Sequence, residues 1–174
     1  MSRFPFIDNS ALRNNLDVTF QHIVELTTIA DKYDKILSSS FRKTIIIYTA
    51  SIIEALLLWK LKKIIKTAKV ELSGEWVFYD IKTLYKIDDS EEIIGAKRRK
   101  EKKQINKLDF VRIIDLCAKY KIATEQFSEE IHKVRILRNQ LHIGGLAKIE
   151  KEYTKKDLKF VFGVAKKVKI LVSK

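Results

Sequence analysis

The sequence predicts an all-α protein, an up-down bundle of about five helices with a small β-hairpin or irregular insertion near residues 73–105. The first observation behind this is that the 174 residues include only 5 Gly and 1 Pro, too few for the turns of an all-β protein. The second is that apolar residues recur at helical spacing along most of the chain. No repeat or linker divides residues 1–174, which predicts a single helical domain.

The helices are placed by their apolar spacing and by the polar residues that could cap them. The first is predicted from Ser10 to Lys35, with Asp8 or Ser10 as its cap, and the serines 38–40 are predicted to separate the first two helices and to cap the second. The second is predicted from Phe41 to about Ala68. After the insertion, the third helix spans Leu108 to Tyr120. The fourth begins at Thr124, where residues 124–127 offer a capping signal, and ends at Gly144 and Gly145; the fifth follows Thr154 as its cap.

The most apolar run, Thr44 to Trp59, lies within the second helix and is interrupted by Glu54. It is shorter than the roughly 18–20 residues that a membrane span needs. A helix that is apolar on nearly all sides is then expected at the centre of the core. With no secretory signal after Met1, the sequence predicts a cytoplasmic protein that does not enter a membrane.

The single cysteine, Cys117, excludes an internal disulfide and a multi-cysteine zinc site, and it fits a reducing compartment. Cys117 recurs with Phe110, Ile113 and Ile114 at helical spacing. This pattern indicates a core position and not a nucleophile.

The insertion differs from the rest of the chain because it is aromatic and β-branched, beginning with WVFY at Trp76 to Tyr79. Asp88 to Ser90 resemble a turn, so two short strands are predicted around them. The run KRRKEKK, Lys97 to Lys103, is predicted to project beside the hairpin as a basic tail.

The charge balance predicts a polyanionic partner. The formal net charge is +13, and such an excess attracts phosphates, chiefly through counterion release. The alternatives are a solvated face or an acidic protein partner, and DNA ranks last because no recognition-helix motif is present. The residues expected to hold RNA phosphates without reading bases are Lys97, Arg98, Arg99, Lys100, Lys102 and Lys103.

The end of the fourth helix carries a polar ribbon. On a helical wheel Arg135 and His142 nearly superimpose at the edge of the apolar sector, and Asn139 lies on the same side. Arg138 falls between this group and the apolar centre. Because a half-buried charge needs a partner, Arg138 is predicted to pair with Glu54 as a structural ion pair.

The other three side chains suit a phosphodiester. The fork of Arg135 matches two phosphate oxygens, His142 can move protons near neutral pH, and Asn139 can orient the histidine or donate to phosphate. RNA supplies its own nucleophile, the 2′-OH, so no metal or other cofactor is expected; the three histidines are scattered, and no close group of carboxylates accompanies them. The alternative is that His142 is a structural group or a cation near a helix end.

The helix HKVRILRNQLHIGG resembles the signature helix of HEPN domains, whose motif is an arginine followed after four to six residues by a histidine. Six residues separate Arg135 from His142. The Arg-Asn pair typical of the family lies at Arg138 and Asn139, only three residues before the histidine, so either arginine is a candidate for the functional one. The run Tyr48 to Leu61, interrupted by an acidic residue, is similar to the second helix of several HEPN groups.

The resemblance implies a helical bundle that forms a homodimer, with the signature helices of both subunits lining one cleft. It also implies a metal-independent endoribonuclease of the toxin–antitoxin or antiviral defence type, with an antitoxin or other acidic protein as a further partner. Other members of the family are non-catalytic modules for RNA binding or protein interaction, and this is the second interpretation of the chain. The toxin or defence role is implied only by analogy with other members of the family.

Overall fold

The computed structural model describes residues 1–68, 75–101, 104–139 and 152–174. These residues form five α-helices, a short 3₁₀-helix at Ile105–Lys107 and a two-stranded antiparallel hairpin, which confirms a helical fold with a hairpin insertion. The elements in chain order are α1 (Ser10–Ala30), α2 (Lys35–Ala68), β1 (Glu75–Lys86), β2 (Glu92–Glu101), α3 (Phe110–Lys119), α4 (Glu125–Asn139) and α5 (Lys155–Ser173).

The chain divides into two compact units. One contains Met1–Ile64 and Asp109–Lys174, and the other is Ile65–Leu108, which includes the hairpin. The second unit is thus an insertion in the sequence of the first. A single domain over the whole chain stays a prediction.

The boundary between α1 and α2 differs from the prediction. The break lies at residues 31–34 and not at the serines 38–40, which are inside α2. Asp34 caps the new helix, since its carboxylate accepts a hydrogen bond from the backbone N–H of Leu37 at 2.9 Å. Ser38 is buried and its hydroxyl donates to the carbonyl of Ala30 at 2.5 Å. Ser38 therefore satisfies a carbonyl at the C-terminal end of α1 and does not cap the N-terminus of α2.

The other helix caps are mostly those of the predicted type. Asn9, and neither Asp8 nor Ser10, caps α1, because its side chain accepts from the N–H of Leu12 at 2.9 Å. Asp109 caps α3, so this helix begins at Phe110 and not at Leu108 as predicted. The predicted caps Thr124 and Thr154 are confirmed, and Gly144 and Gly145 lie outside the described residues.

The core of the helical unit is built around α2. Its side chains Ile53, Leu56 and Leu57 are fully buried, as are Ile113 and Ile114 of α3 and Val161 of α5. The central position predicted for this helix is therefore confirmed. Phe4 and Ile7, ahead of α1, are also buried, although no helical periodicity marks them as core residues.

Among the described residues, α2 is also the one helix long and apolar enough to cross a membrane. Of its most apolar window, 56% is buried inside the protein. Burial of this kind is what a core helix requires, since its apolar faces are already covered by protein. The cytoplasmic location stays a prediction.

A polar contact fastens the N-terminal segment to α2. The indole N–H of Trp59 donates to Asp8 at 2.8 Å, and the ammonium of Lys63 lies 3.1 Å from the same carboxylate. The hydrogen bond from Trp59 and the contact with Lys63 lower the pKa of Asp8 to about 2. The carboxylate therefore stays charged well into the acid range.

The start of α5 carries a capping box, which gives a test of this helix boundary. The Thr154 hydroxyl accepts from the N–H of Asp157 at 3.3 Å, and the Asp157 carboxylate accepts from the N–H of Thr154 at 2.8 Å. We expect Thr154→Ala to lower the free energy of unfolding by about 1 kcal/mol in urea denaturation, because the first turn loses its acceptor. Thr154→Ser should retain most of the stability; equal losses in both variants would contradict this role.

The hairpin has a defined register. Trp76 pairs with Lys100, Phe78 with Arg98 and Thr83 with Ile94. Two irregularities, between Tyr79 and Lys82 and between Thr83 and Tyr85, insert extra residues into β1 while β2 stays regular. At the first of them Asp80 has φ 52°, a left-handed conformation that aspartate tolerates better than most residues. The turn at Asp88–Ser90 is confirmed.

Candidate functional site

The helix α4 positions the predicted site because one of its faces is fixed in the core. Ile131 and Val134 are fully buried, and α4 packs against α3 and α5. Arg135 directly follows Val134 and therefore stands at the edge of the packed face. Arg135 and Arg138 are half-buried and Asn139 is exposed.

The predicted ion pair between Arg138 and Glu54 is present. A guanidinium nitrogen (Nη1) of Arg138 donates to Oε2 of Glu54 at 2.7 Å. The Arg138 side chain is 31% exposed and that of Glu54 25%, so both charges are largely withdrawn from water. The guanidinium also lies 5.8 Å from the ring centroid of Phe110. Arg138 is therefore held between α2 and α3 and is oriented by both.

Arg135 is in a different situation. Its Nε is buried and has no hydrogen-bond partner in the part of the chain that the structure describes. A buried donor without an acceptor costs free energy. Asn139, one turn further along α4, is exposed and ends the helix as described.

The third member of the predicted group, His142, lies outside the described residues. The structure thus locates Arg135 and Asn139 on α4, and the position of His142 relative to them stays a prediction. The other two histidines are elsewhere: His22 is on α1, beside the ring of Tyr48 at 6.0 Å, and His132 on α4 faces Asp115 at 3.5 Å.

Other reactive groups add no competing site within the described ranges. Cys117 is buried, and burial raises the pKa of its thiol to about 12, so it is a core residue as predicted. Across residues 1–68, 75–101, 104–139 and 152–174, no cluster of three or more His, Cys, Asp or Glu side chains could hold a metal ion.

The basic residues of the insertion are arranged differently from the prediction. Lys97 to Lys100 belong to strand β2 and are not a tail beside the hairpin, because each pairs with a residue of β1. Lys97 lies 2.8 Å from the carboxylate of Asp80. Lys102 and Lys103 fall outside the described residues.

The aromatic neighbours of these cations are not among the features predicted from the sequence. The guanidinium of Arg98 lies 4.6 Å from the ring centroid of Trp76, and that of Arg99 lies 5.4 Å from the ring of Tyr79. Such distances are typical of cation–π contacts. The signal was available, since WVFY and KRRK stand at nearly equal distances from the predicted turn.

An apolar groove in the helical unit lies apart from the predicted site residues. It has a volume of about 600 Å³, and its mostly apolar wall includes two lysines and two threonines. Its lining residues on α1, α2 and α5 include Phe20, Val24, Ile52, Phe162, Lys166 and Lys169.

Comparison of the chain with known protein families, with curated proteins and with solved structures gave no match.

Proposed function

We propose that this protein binds RNA and cleaves it as a metal-independent endoribonuclease, in the manner implied by its resemblance to HEPN domains. In this proposal His142 transfers protons, Arg135 stabilises the scissile phosphate and Asn139 orients the histidine or the phosphate. The biological role proposed is that of a toxin or antiviral defence factor in the cytoplasm, with an antitoxin or other acidic protein as a further partner.

One observation supports the choice of Arg135. Arg138 is already paired with Glu54 at 2.7 Å, whereas the buried Nε of Arg135 has no acceptor among the described residues. To bind a phosphate, Arg138 would first have to leave its carboxylate, whereas the described residues offer Arg135 no such ion pair to break. Arg138 then acts by holding the end of α4 against α2.

The finer architecture belongs to the same proposal. We expect the helices to form an up-down bundle and two chains to form a homodimer in which both copies of α4 line one cleft. Such a cleft would supply the histidine and arginine of each subunit to one RNA strand, and its walls would exclude water from the scissile phosphate.

The proposed reaction uses the 2′-OH of the RNA as its nucleophile. The 2′-oxygen attacks the adjacent phosphorus, the bond from phosphorus to the 5′-oxygen breaks, and the proton lost by the 2′-OH is balanced by one delivered to the leaving oxygen. The products are a 2′,3′-cyclic phosphate and a 5′-OH. Histidine is suited to both proton transfers because its pKa lies near neutral pH, and the arginine stabilises the charge that develops on the phosphate.

The test is a cleavage assay on mixed RNA in the presence of EDTA, followed by analysis of the product ends. We expect cleavage without added metal and products that carry a 2′,3′-cyclic phosphate. DNA of the same sequence should stay intact, because it lacks the 2′-OH. Cleavage that requires a divalent ion, or 3′-OH products, would contradict the proposal.

The second candidate function is a non-catalytic module that binds RNA or an acidic protein. The groove of about 600 Å³ favours the protein partner, since Lys166 and Lys169 lie in an apolar wall and could pair with the acidic side of an amphipathic segment. Absence of cleavage in the assay above, together with a correctly folded protein, would favour this function.

A further inference from the structure

The hairpin carries rings and cations together on one face. In an antiparallel pair, residues directly opposite each other project from the same side of the sheet. Trp76 pairs with Lys100 and Phe78 with Arg98, so these four side chains share one face, named here the aromatic–basic face. Because residues two apart on a strand are about 6.6 Å apart, its two rings are close neighbours.

The aromatic–basic face is open to solvent. Trp76 is 55% exposed and Phe78 60% exposed, although aromatic side chains of this size are usually well covered by protein. The Arg98 guanidinium lies over the Trp76 ring, 4.6 Å from its centroid, and orients it, while more than half of the Trp76 surface stays exposed. An exposed, oriented pair of rings beside cations indicates a binding surface.

We propose that the aromatic–basic face binds single-stranded nucleic acid, with bases stacked on Trp76 and Phe78 and phosphates held by Arg98 and Lys100. Stacking rings flanked by cations that follow the phosphate backbone are the general means of binding single strands without sequence preference. The proposal is independent of cleavage, because it requires neither His142 nor the 2′-OH.

The arrangement argues against two other occupants. In a duplex the bases are paired and stacked inside the helix, so they are not available to exposed rings. A membrane-bound hairpin would separate an apolar face from a polar one, whereas here cations stand opposite aromatic or apolar residues on both faces. On the other face Val77 pairs with Arg99 and Tyr79 with Lys97.

The experiment measures binding of the full chain to three labelled 12-mers of one sequence: single-stranded DNA, single-stranded RNA and the DNA duplex. Fluorescence anisotropy gives the affinities, and the His142→Ala background keeps the RNA intact. We expect the two single strands to bind with similar affinity, because stacking does not read the sugar, and the duplex to bind more weakly. Single-stranded DNA should also quench the fluorescence of Trp76, and Trp76→Phe should remove that quenching.

Trp76→Ala is expected to weaken binding of both single strands by about 5- to 150-fold, the effect of losing one base stack. Trp76→Phe should lose much less, since it keeps a ring. Tyr85→Ala is the matched control: Tyr85 is 64% exposed on the same hairpin but pairs with Ile93 and not with a cation, so its loss should change affinity less than twofold. Arg98→Ala should also reduce the slope of log affinity against log salt by about one.

The proposal is overturned if Trp76→Ala and Tyr85→Ala weaken binding equally, or if the duplex binds as tightly as the single strands. A variant that loses the wild-type circular dichroism spectrum is replaced by Trp76→Leu, which keeps an apolar side chain without a ring; unchanged affinity in that variant overturns the proposal too.

The last measurement tests binding of the full chain to vesicles of anionic phospholipid. Binding to them that depends on Trp76, with none to oligonucleotides, would show a membrane surface instead. Binding of DNA requires neither cleavage nor His142, so failure here is distinct from failure of the nuclease assay.

Discussion

Replacing His142 with alanine is expected to lower the rate of RNA cleavage by about 10²- to 10⁴-fold, the usual contribution of a general acid–base group. The affinity for RNA should stay near that of the wild type, because the cations of the hairpin and the arginine of α4 are unchanged. Single-turnover cleavage in EDTA, measured beside RNA affinity, separates the two effects.

The matched control is His22→Ala, which removes an exposed histidine of α1 far from α4 in the sequence. It should cleave RNA at the wild-type rate. The assignment is wrong if His142→Ala keeps the wild-type rate while its circular dichroism spectrum is unchanged. It is also wrong if both histidine variants lose activity equally, since the loss would then not be specific to α4.

The second large effect concerns the two arginines of α4. Arg135→Ala is expected to reduce cleavage by about 10²- to 10³-fold, the effect of removing one donor to a developing negative charge. Its stability should change little, because Nε of Arg135 has no partner to lose among the described residues.

Glu54→Ala should behave in the opposite way. It leaves the half-buried guanidinium of Arg138 without its acceptor, and we expect a loss of about 1–2 kcal/mol in the free energy of unfolding. Glu54→Met combined with Arg138→Met replaces both partners by apolar side chains of similar length and should recover most of that stability. A double-mutant cycle in urea measures the coupling between the two residues.

The cleavage rate of the double variant decides which arginine is functional. If Arg138 only holds α4 in place, the double variant keeps at least a tenth of the wild-type rate while Arg135→Ala does not. The reverse result, loss in the double variant and retention in Arg135→Ala, would assign the phosphate to Arg138 and contradict the role proposed for Arg135.

The parts of the fold that depend on local sequence could be predicted. Helix positions follow from apolar spacing, and the caps Thr124 and Thr154 follow from side chains that bond to the backbone three residues ahead. The error at the start of α2 has the same origin. A serine can bond forward as a cap or backward to an earlier carbonyl, and Ser38 does the latter because the carbonyl of Ala30 is within reach.

The ion pair of the site could also be predicted, although Glu54 and Arg138 are 84 residues apart in sequence. Each is a charged residue in or beside an apolar sector of its own helix. Because a buried charge without a partner is costly, two such residues of opposite sign are expected to pair. The partner state of Arg135 could not be predicted in this way. Whether an edge residue meets an acceptor depends on the side chains of neighbouring helices, which helical periodicity does not specify.

The arrangement of the hairpin depended on register. The sequence predicted the turn but not which ring would face which cation, because a shift by one residue would move Trp76 to the other side of the sheet. The extra residues in β1 shift the register, so the residue of β2 that faces a given residue of β1 cannot be found by counting from the turn. For that reason the aromatic–basic face became visible only in the structure.

A sheet of two strands leaves the outer edge of each strand without a pairing partner, and the described residues contain no third strand to cover either one. The unpaired N–H and C=O groups of such an edge can pair with a strand of another molecule, which leads to aggregation. The lysines and arginines of β2 oppose it, because two like-charged hairpins repel each other on approach. The same cations therefore protect colloidal solubility, and a polyanion that neutralises them would at once remove the barrier that keeps neighbouring hairpins apart.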